Sequence, residues 1–231
     1  MVDRHTSLIG SGIRVQTDSP VVILTFDDGP DPEGTPAVLD ALREAGATAT
    51  FFVLMTRVRR FGSVLAEVVA AGHEVALHGF DHRPLPDFRP GVVARRTQDA
   101  RRELEDAIQA PIRWFRPPYG RQRPQDWFAV RRLGLVPILW SGTTWDSRRD
   151  VTDGDRLAQA RRGFAAGTIM LCHDAFAGVL DGAADKAQPQ IDRRLLVASM
   201  LTDMRGHDLS GQSLAVALTS GRLVRAARFS H

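Results

Sequence analysis

The sequence predicts a single α/β domain built on a parallel sheet, either open or closed into a barrel. Short apolar runs rich in β-branched and aromatic residues alternate along the chain with longer amphipathic segments, which is typical of repeated β-α units. The 231 residues, of which 43% are hydrophobic and 25% charged, suffice for one large domain of this class or for two small ones. No linker and no repeat of fixed period divides the chain, which favours one domain.

The elements of the first half follow from apolar runs bounded by residues that start and stop helices. Thr35 is predicted to cap a helix that begins at Pro36 and ends before Gly46, because a hydroxyl cap, an initial proline and a terminal glycine are typical of helix ends. In chain order we expect strand 21–26, helix 36–45, strand 49–54, helix 61–71, strand 73–77, helix 90–107 and strand 113–115.

The second half continues the alternation, and Gly134 and Gly206 are predicted to end two of its helices. In chain order we expect helix 124–133, strand 136–140, helix 153–165, strand 169–171, helix 192–204 and a short element at 214–218. Residues 175–190 form one long stretch without periodicity. A loop of that length in a compact domain is usually functional or mobile, and a disordered surface loop is the alternative interpretation.

The charge of the chain does not indicate a nucleic-acid partner. The net charge is only +3 although the isoelectric point is about 9.9. The basic residues are arginines except for Lys186, and many of them alternate with acids at helical spacing, which is typical of a solvated helix face. Cys172 is the single cysteine, so the chain forms no intrachain disulfide.

No run of the sequence approaches the roughly twenty apolar residues that a transmembrane helix needs, so no transmembrane segment is expected. Residues 1–12 lack the apolar core of a signal peptide. For the sequence as it stands we expect a cytoplasmic protein. Removal of an export signal would instead place the protein outside the cell or in the cell envelope. The oligomeric state is left open.

Ionisable side chains follow several of the predicted strands. Two adjacent carboxylates directly follow the apolar run 21–26, although like charges side by side repel. In a parallel barrel the loops after the strands gather on one face, where active sites lie. The sequence therefore predicts that the following side chains converge: Asp27, Asp28, His78, Arg116, Asp146 and His173.

His78 and His82 stand four positions apart, and at helical spacing two such rings lie on one face and can hold one metal ion. Each piece alone has a structural alternative. The run Asp27–Pro30 could be a turn with acidic caps, the histidine pair could lie on the surface or in the core, and His173 could be a buried histidine. Together, at strand ends, the pieces predict a hydrolytic metal site.

In combination these motifs resemble the polysaccharide deacetylase family, also called carbohydrate esterase family four. The resemblance spans roughly residues 21–206 and rests on residues 25–30, 72–75, 78, 82, 116–120 and 171–173. It implies a distorted (β/α) barrel of about seven parallel strands with outer helices in a single domain. We accordingly divide the chain into an N-terminal segment (1–20), a catalytic domain (21–219) and a C-terminal tail (220–231).

The resemblance also implies the chemistry, since members of the family remove N- or O-acetyl groups with the help of a divalent metal. Carried over residue by residue, the metal ligands would be Asp28, His78 and His82. A set of two histidines and one aspartate with an open position suits catalytic zinc. We therefore expect one divalent metal ion, zinc first, with cobalt, manganese or nickel as alternatives.

The same resemblance implies catalytic roles. Asp27 would be the general base toward the attacking water, and Arg116 would pair with Asp27. The Tyr119 N–H would stabilise the oxyanion. His173 would be the general acid that protonates the departing amine, a task that suits an imidazole because it titrates near neutral pH. Asp146 would orient His173.

The chain departs from the family pattern in three places. Gly79 stands where members usually have serine or threonine after the first metal histidine. The fourth motif usually reads Asp-x-x-Asp-Trp, but here Thr143 and Ser147 replace its first and last residues, and Trp145 lies one position early. Residues 175–190 replace the segment that typically follows the acid histidine.

We therefore expect a metal-dependent hydrolase that removes N-acetyl groups from its partner, an N-acetylated sugar or oligosaccharide. Two alternatives stay open. One is a hydrolase of another small C–N substrate on the same fold, a deformylase or a ureide amidohydrolase. The other is a carbohydrate-binding pseudoenzyme without turnover. Cys172 is not expected to act as a nucleophile, because the metal already supplies one.

Overall fold

The computed structural model of the protein describes residues 9–184 and 187–230. Its strands are β1 (Ser11–Gln16), β2 (Val21–Asp27), β3 (Thr50–Leu54), β4 (Glu74–Gly79), β5 (Trp114–Phe115), β6 (Val136–Pro137), β7 (Gly142–Thr143), β8 (Ile169–His173), β9 (Ser210–Gln212) and β10 (Arg222–Ala226). Its α-helices are α1 (Gly34–Ala45), α2 (Met55–Val58), α3 (Gly62–Ala70), α4 (Pro90–Ile108), α5 (Pro124–Arg132), α6 (Asp153–Arg161), α7 (Arg193–Gly206) and α8 (Leu214–Ala217). Short 3₁₀ turns lie at Leu85–Asp87, Pro118–Gly120 and Val179–Asp181.

The main sheet is a curled layer of seven parallel strands in the order β6-β5-β4-β3-β2-β8-β7, with β9 paired to the start of β2. Helices cover the outside of this half-barrel, which confirms the predicted fold of a distorted (β/α) barrel in one domain. The central strand β2 ends with Asp27, which is in register with Phe52 of β3 and with His173 of β8. The carboxyl ends of these strands therefore bring two predicted site residues side by side.

Strand β2 is buried along its whole length because both faces of the sheet are covered. Val22, Leu24 and Phe26 belong to the apolar cluster that also contains the buried side chains of the outer helices. Ile23 lies in the second cluster, inside the barrel, together with Phe52. A strand covered on both faces needs apolar residues at successive positions, which explains its continuous apolar run.

An antiparallel pair of strands, β1 and β10, packs against the barrel between the end of β6 and the start of β8, where Gly12 bridges to Ile138 and Arg14 to Thr168. The pair joins residues of the N-terminal segment to residues of the C-terminal tail, and the sequence analysis named neither strand. Val15 of β1 belongs to the inner apolar cluster, and its N–H donates to the Gly167 carbonyl (2.8 Å) just before β8. The pair therefore covers part of the inner core.

The predicted cap at Thr35 is wrong. Helix α1 begins at Gly34 without a side-chain cap from its N-cap residue. Asp31 Oδ1 instead accepts hydrogen bonds from the N–H groups of Glu33 (3.1 Å) and Gly34 (2.8 Å). The Thr35 hydroxyl is buried and donates to Asp174 Oδ2 (2.5 Å). The Thr35 hydroxyl is therefore not available to cap the helix, because it donates to Asp174, a residue distant in the sequence.

Two predicted elements are shorter in the structure. The strand at 136–140 pairs with β5 only at Val136–Pro137. The helix at 153–165 ends at Arg161, and Gly163, just beyond it, packs against β8 so closely that a Cβ there would lie 2.7 Å from Met170 Cε. The elements α2 and β9 are too short to show periodicity, so the sequence did not indicate them. Within residues 9–184 and 187–230, no helix has the length and apolarity needed to cross a membrane.

Candidate active site

A cleft of about 680 Å³ opens at the carboxyl ends of the barrel strands. Two further predicted residues, Arg116 and Asp146, are buried behind its wall and contact residues that line it. The structure therefore brings all the residues of the predicted site together. Those that line the cleft are Asp27, Asp28, His78, His82, Tyr119 and His173.

Asp28, His78 and His82 form the candidate metal centre. One possible ligand atom from each residue lies within 4.8 Å of the other two. Asp28 Oδ1 is 3.4 Å from His78 Nε2 and 3.2 Å from His82 Nε2. All three side chains are buried, and Asp28 Oδ1 forms no hydrogen bond within the described part of the chain. Asp28 directly follows β2 and has a φ of 77°, which is uncommon for a residue other than glycine.

Backbone groups orient two of these three side chains. His78 Nδ1 lies 2.9 Å from the Arg116 carbonyl oxygen, so Nδ1–H donates there and the Nε2 lone pair faces Asp28. Asp28 Oδ2 accepts a hydrogen bond from the Ala177 N–H (2.9 Å), in the loop after β8. Both ligand atoms are thus aimed at a common point by groups of the protein itself.

The charge states of the cluster suit a cation. Burial raises the pKa of Asp28, but the neighbouring His82, His78 and His173 outweigh burial and hold that pKa well below its usual range. Burial is the largest effect on His82 and lowers its pKa to about 4, although the Asp28 carboxylate opposes it. At neutral pH the His82 ring is therefore neutral and the Asp28 carboxylate is ionised, and metal ligands require these forms.

Asp27 is held by a fully buried arginine. Arg116 Nη1 donates to Asp27 Oδ1 across 2.6 Å and to the Thr25 hydroxyl across 2.8 Å. The guanidinium also stacks on the Phe52 ring at 4.1 Å. The second carboxylate oxygen of Asp27, Oδ2, lies 3.9 Å from His78 Nε2 and faces the candidate metal centre.

His173 and Asp146 form a second pair, at the end of β8 next to Asp27. Asp146 Oδ1 is 2.8 Å from His173 Nδ1, and Asp146 Oδ2 accepts the His173 backbone N–H (2.6 Å). Burial lowers the pKa of His173, but Asp146, together with Asp28 and Asp27, outweighs burial and raises it to about 9. Asp146 thus contacts His173 although the surrounding motif departs from the family pattern.

Tyr119 lies at the rim of the cleft in the 3₁₀ turn after β5. Its φ of 58° is unusual for a residue other than glycine. Its N–H donates to no acceptor among the described residues, and its ring packs edge-on against the His82 ring, with centroids 4.2 Å apart. The side chain is half exposed, so it borders the metal centre on the side open to solvent.

Two of the three departures from the family pattern, Gly79 and the fourth motif, have local structural features that accompany them. Gly79 has a φ of 130°, a conformation that side chains rarely adopt, and a Cβ there would lie 3.0 Å from the Asp81 carbonyl oxygen. The Thr143 hydroxyl accepts the Trp145 N–H (3.2 Å), and the Trp145 ring packs against Arg148. Among the described residues, Trp140 and not Trp145 is the tryptophan that lines the cleft.

Sequence reasoning did not assign a role to Asp174, which directly follows β8. It is buried, with its carboxylate accepting the Gly29 N–H (3.2 Å) and the Thr35 hydroxyl. Burial raises its pKa to about 7. A Cβ on Gly29 would lie 2.1 Å from Asp174 Oδ2, so glycine is required at that position. Asp174 therefore ties the end of β8 to the turn that carries Asp28.

Cys172 lies in the apolar cluster under the outer helices, on the face of β8 away from the cleft. Burial raises the pKa of its thiol well above the ordinary value, and Asp146 adds to the effect. The thiol therefore stays protonated at neutral pH. This agrees with the expectation that Cys172 does not act as a nucleophile.

Curated relatives resemble this chain over most of its length. The sequence profile of the polysaccharide deacetylase family matches residues 14–138. A chitooligosaccharide deacetylase from Azorhizobium caulinodans is 34% identical over 172 residues, which are 73% of this chain and 80% of that protein. A peptidoglycan-N-acetylglucosamine deacetylase from Bacillus cereus is 33% identical over 128 residues, which are 55% of this chain and 60% of that protein.

Solved structures share the fold. A family 4 acetyl xylan esterase from Clostridium thermocellum, in complex with a cobalt ion, aligns with a TM-score of 0.72 and 26% sequence identity over 86% of this chain and 90% of that one. The profile match covers more than half of the present sequence. These likenesses confirm the resemblance seen in the motifs. The chain belongs to the polysaccharide deacetylase family.

Proposed function

We propose that the protein hydrolyses the acetamide group of N-acetylglucosamine units in a chitooligosaccharide or in peptidoglycan, in a reaction that depends on a divalent metal. Family membership confirms the predicted class of enzyme, a carbohydrate deacetylase. The names of the relatives from A. caulinodans and B. cereus support this choice of substrate. The observation that carries the proposal is that Asp27 and His173, neighbours across β2 and β8, line the same cleft as the candidate metal centre.

The residues of the candidate metal centre fit a divalent cation. Asp28 Oδ1 is buried without a hydrogen bond among the described residues, yet the Nε2 atoms of His78 and His82 lie 3.4 and 3.2 Å from it. A buried carboxylate oxygen of this kind is costly unless a cation neutralises it. Two nitrogens and one oxygen suit zinc, with cobalt, manganese or nickel as alternatives. When bound, such an ion polarises a carbonyl and lowers the pKa of water.

In this proposal Asp27 accepts a proton from the attacking water. Arg116 occupies Oδ1 of its carboxylate, so Oδ2 is the oxygen that faces the cleft. Arg116 is therefore a positioning residue, since it acts on the reaction through the orientation of Asp27. A carboxylate held in this way needs no reorganisation when the proton moves.

In the same proposal His173 gives a proton to the departing amine. Its Nδ1 faces Asp146, so Nε2 is the ring atom left to act in the cleft, and the raised pKa keeps the ring protonated at neutral pH. The reaction thus involves two proton transfers. Asp27 takes one proton from the water, and His173 gives one to the amine nitrogen as the C–N bond breaks. The products are acetate and a sugar with a free amino group.

The Tyr119 N–H is the donor that we assign to the developing oxyanion. It borders the cleft and has no acceptor among the described residues. A donor aimed at the position of the oxyanion contributes on the order of 3 kcal/mol to a reaction of this type. The left-handed backbone at Tyr119 fixes the direction of this N–H.

Amine release from N-acetylated chitooligosaccharides tests the proposal, with protein depleted of metal and then supplied with Zn²⁺. We expect turnover only with the metal, and turnover reduced by about 10²- to 10⁴-fold in the Asp27→Asn variant. Peptidoglycan fragments assayed in parallel identify the preferred polymer. Release confined to formamides or cyclic ureides would favour the alternative C–N substrates instead. Sugar binding without amine release from any substrate would indicate a pseudoenzyme and refute the proposal.

A further inference from the structure

The loop after β8 contains a buried carboxylate that the reaction itself does not use. We propose that Asp181 is a positioning residue for the metal centre, because it holds the loop of residues 175–184 in the shape that supports Asp28 and His82. The inference rests on the proposed function, since it assumes that these two residues bind the metal. Hereafter residues 175–184 are called the anchored loop.

The Asp181 carboxylate is enclosed by donors from two separate segments. Its side chain is only 1% exposed. Oδ1 accepts the Thr56 hydroxyl (2.9 Å) and a hydrogen bond from Arg60, and Oδ2 accepts Arg57 Nε (3.0 Å) and the Gly178 N–H (3.1 Å). Three of these donors belong to α2 and the residues that follow it, and one belongs to the anchored loop. Asp181 therefore fastens the loop to α2.

Two backbone groups of the anchored loop contact the metal centre directly. The Asp181 carbonyl accepts the His82 N–H (2.7 Å), and the Ala177 N–H donates to Asp28 Oδ2 (2.9 Å). One ligand of the centre is thus held through its side chain and a second through its backbone. A shift of the loop would disturb both contacts at once.

Arg57 reinforces the same connection. Its guanidinium donates to Asp181, to the Phe176 carbonyl (2.8 Å) and to Asp31 Oδ2 (3.0 Å). Phe176 immediately precedes Ala177, and Asp31 lies in the turn after β2, which also carries Asp28. The arginine therefore joins the loops after β2 and β8 around the base of the metal centre.

A buried ion pair need not stabilise a fold, because its replacement by apolar groups of similar size is often neutral for stability. Stability alone therefore does not account for this network. What the network does in this fold is to fix two backbone groups against two ligands. Groups that orient metal ligands typically change metal affinity by 10- to 100-fold when they are removed. We therefore expect Asp181 to act on metal affinity as well as on stability.

The test measures metal binding and folding on the same full-length variants. Asp181→Asn removes the charge but keeps the size of the side chain. Asp126→Asn is the matched control, because Asp126 is equally buried and pairs with Arg123 at the start of α5, outside the site. Co²⁺ titration followed by visible absorption gives the dissociation constant and the ligand-field spectrum. Urea unfolding without metal gives the stability of each variant.

We expect Asp181→Asn to bind Co²⁺ at least about 10-fold more weakly than the unaltered protein and with a changed absorption spectrum. Asp126→Asn should lose stability but keep the affinity and the spectrum. If Asp181→Asn does not fold, Thr56→Val replaces it, since this change removes one donor to Asp181. A smaller loss of affinity in the same direction is then expected.

The outcomes separate the inference from the proposed function. If the unaltered protein binds neither Co²⁺ nor Zn²⁺, the metal centre itself is wrong and the inference falls with it. If the unaltered protein binds Co²⁺ and the folded Asp181→Asn or Thr56→Val variant binds it equally well, only the positioning role is overturned. Equal losses of affinity in Asp181→Asn and Asp126→Asn would also overturn it, because they would reflect general destabilisation.

Discussion

Arg116 donates to Asp27 across 2.6 Å at a point of the barrel where the arginine has no contact with solvent. A fully buried cation is tolerated only when a carboxylate and further acceptors replace its water. Thr25 and the carbonyl groups of Ile138 and Leu139 supply those acceptors. One carboxylate oxygen of Asp27 is therefore committed to the arginine, and the other is left for the cleft.

Replacement of Arg116 by methionine should lower the free energy of unfolding by about 3–5 kcal/mol, because it leaves Asp27 buried without its partner. Urea unfolding at neutral pH without metal measures the loss. Arg194→Met is the control, since Arg194 pairs with Glu44 on the surface, where both side chains are half exposed. That pair should contribute less than about 1 kcal/mol. Similar losses of unfolding free energy in the two variants would show that the buried Asp27–Arg116 pair stabilises the protein no more than a surface pair does.

Replacement of Asp27 by asparagine should reduce kcat by about 10²- to 10⁴-fold and leave the metal bound. The amide keeps the shape of the side chain but cannot accept the water proton. Metal content and amine release are measured on the same preparation. Asp40→Asn, which alters an exposed surface pair with Arg43, should change neither quantity. Loss of metal from the Asp27 variant would mean that Asp27 is a ligand and that the roles of the two aspartates are exchanged.

The composition of the candidate site follows from the sequence because its side chains stand at strand ends. Asp28, His78 and His173 come directly after or at the end of buried strands, and a parallel barrel brings such positions to one face. The register of β2 and β8, which pairs Asp27 with His173, is a consequence of the same arrangement. The motifs were therefore sufficient to predict which of these residues meet.

The contacts by which the anchored loop holds the metal centre could not be predicted in the same way. The contact between Ala177 and Asp28 joins residues 149 positions apart, and the anchored loop has no periodicity that would indicate its path. Asp181 looks like an ordinary surface carboxylate in the sequence, since buried aspartates are uncommon. Its burial depends on α2, a helix of four residues that begins directly after β3 without a side-chain cap.

Replacement of His82 by alanine should abolish both tight metal binding and turnover, because it removes one of the three ligands that we propose. Metal analysis after dialysis and amine release measure the two effects. His207→Ala is the control, since His207 lies on the surface, away from the site, and its Nδ1–H donates to the Asp203 carbonyl of α7 (2.8 Å). Tight metal binding by the His82 variant would contradict its assignment as a ligand.

The pair of His173 and Asp146 gives a prediction for pH dependence. Burial lowers the pKa of His173, and Asp146 is the first of the groups that raise it to about 9. Asparagine in place of Asp146 removes that negative charge, so the pKa of His173 should fall. The ring then loses its proton at a lower pH, and the protein loses its general acid there. The basic limb of the kcat/KM profile should therefore move to lower pH.

The profile is measured for the unaltered protein, for Asp146→Asn and for Asp150→Asn over the pH range in which the protein stays folded. Asp150→Asn removes the same charge from an exposed pair with Arg148 in the same loop, so its basic limb should stay in place. Activity of Asp146→Asn should fall more at about pH 8 than at about pH 6, because the neutral ring is favoured at high pH. An unchanged basic limb in Asp146→Asn would show that His173 is not the acid whose titration limits the reaction, or that Asp146 does not set its pKa.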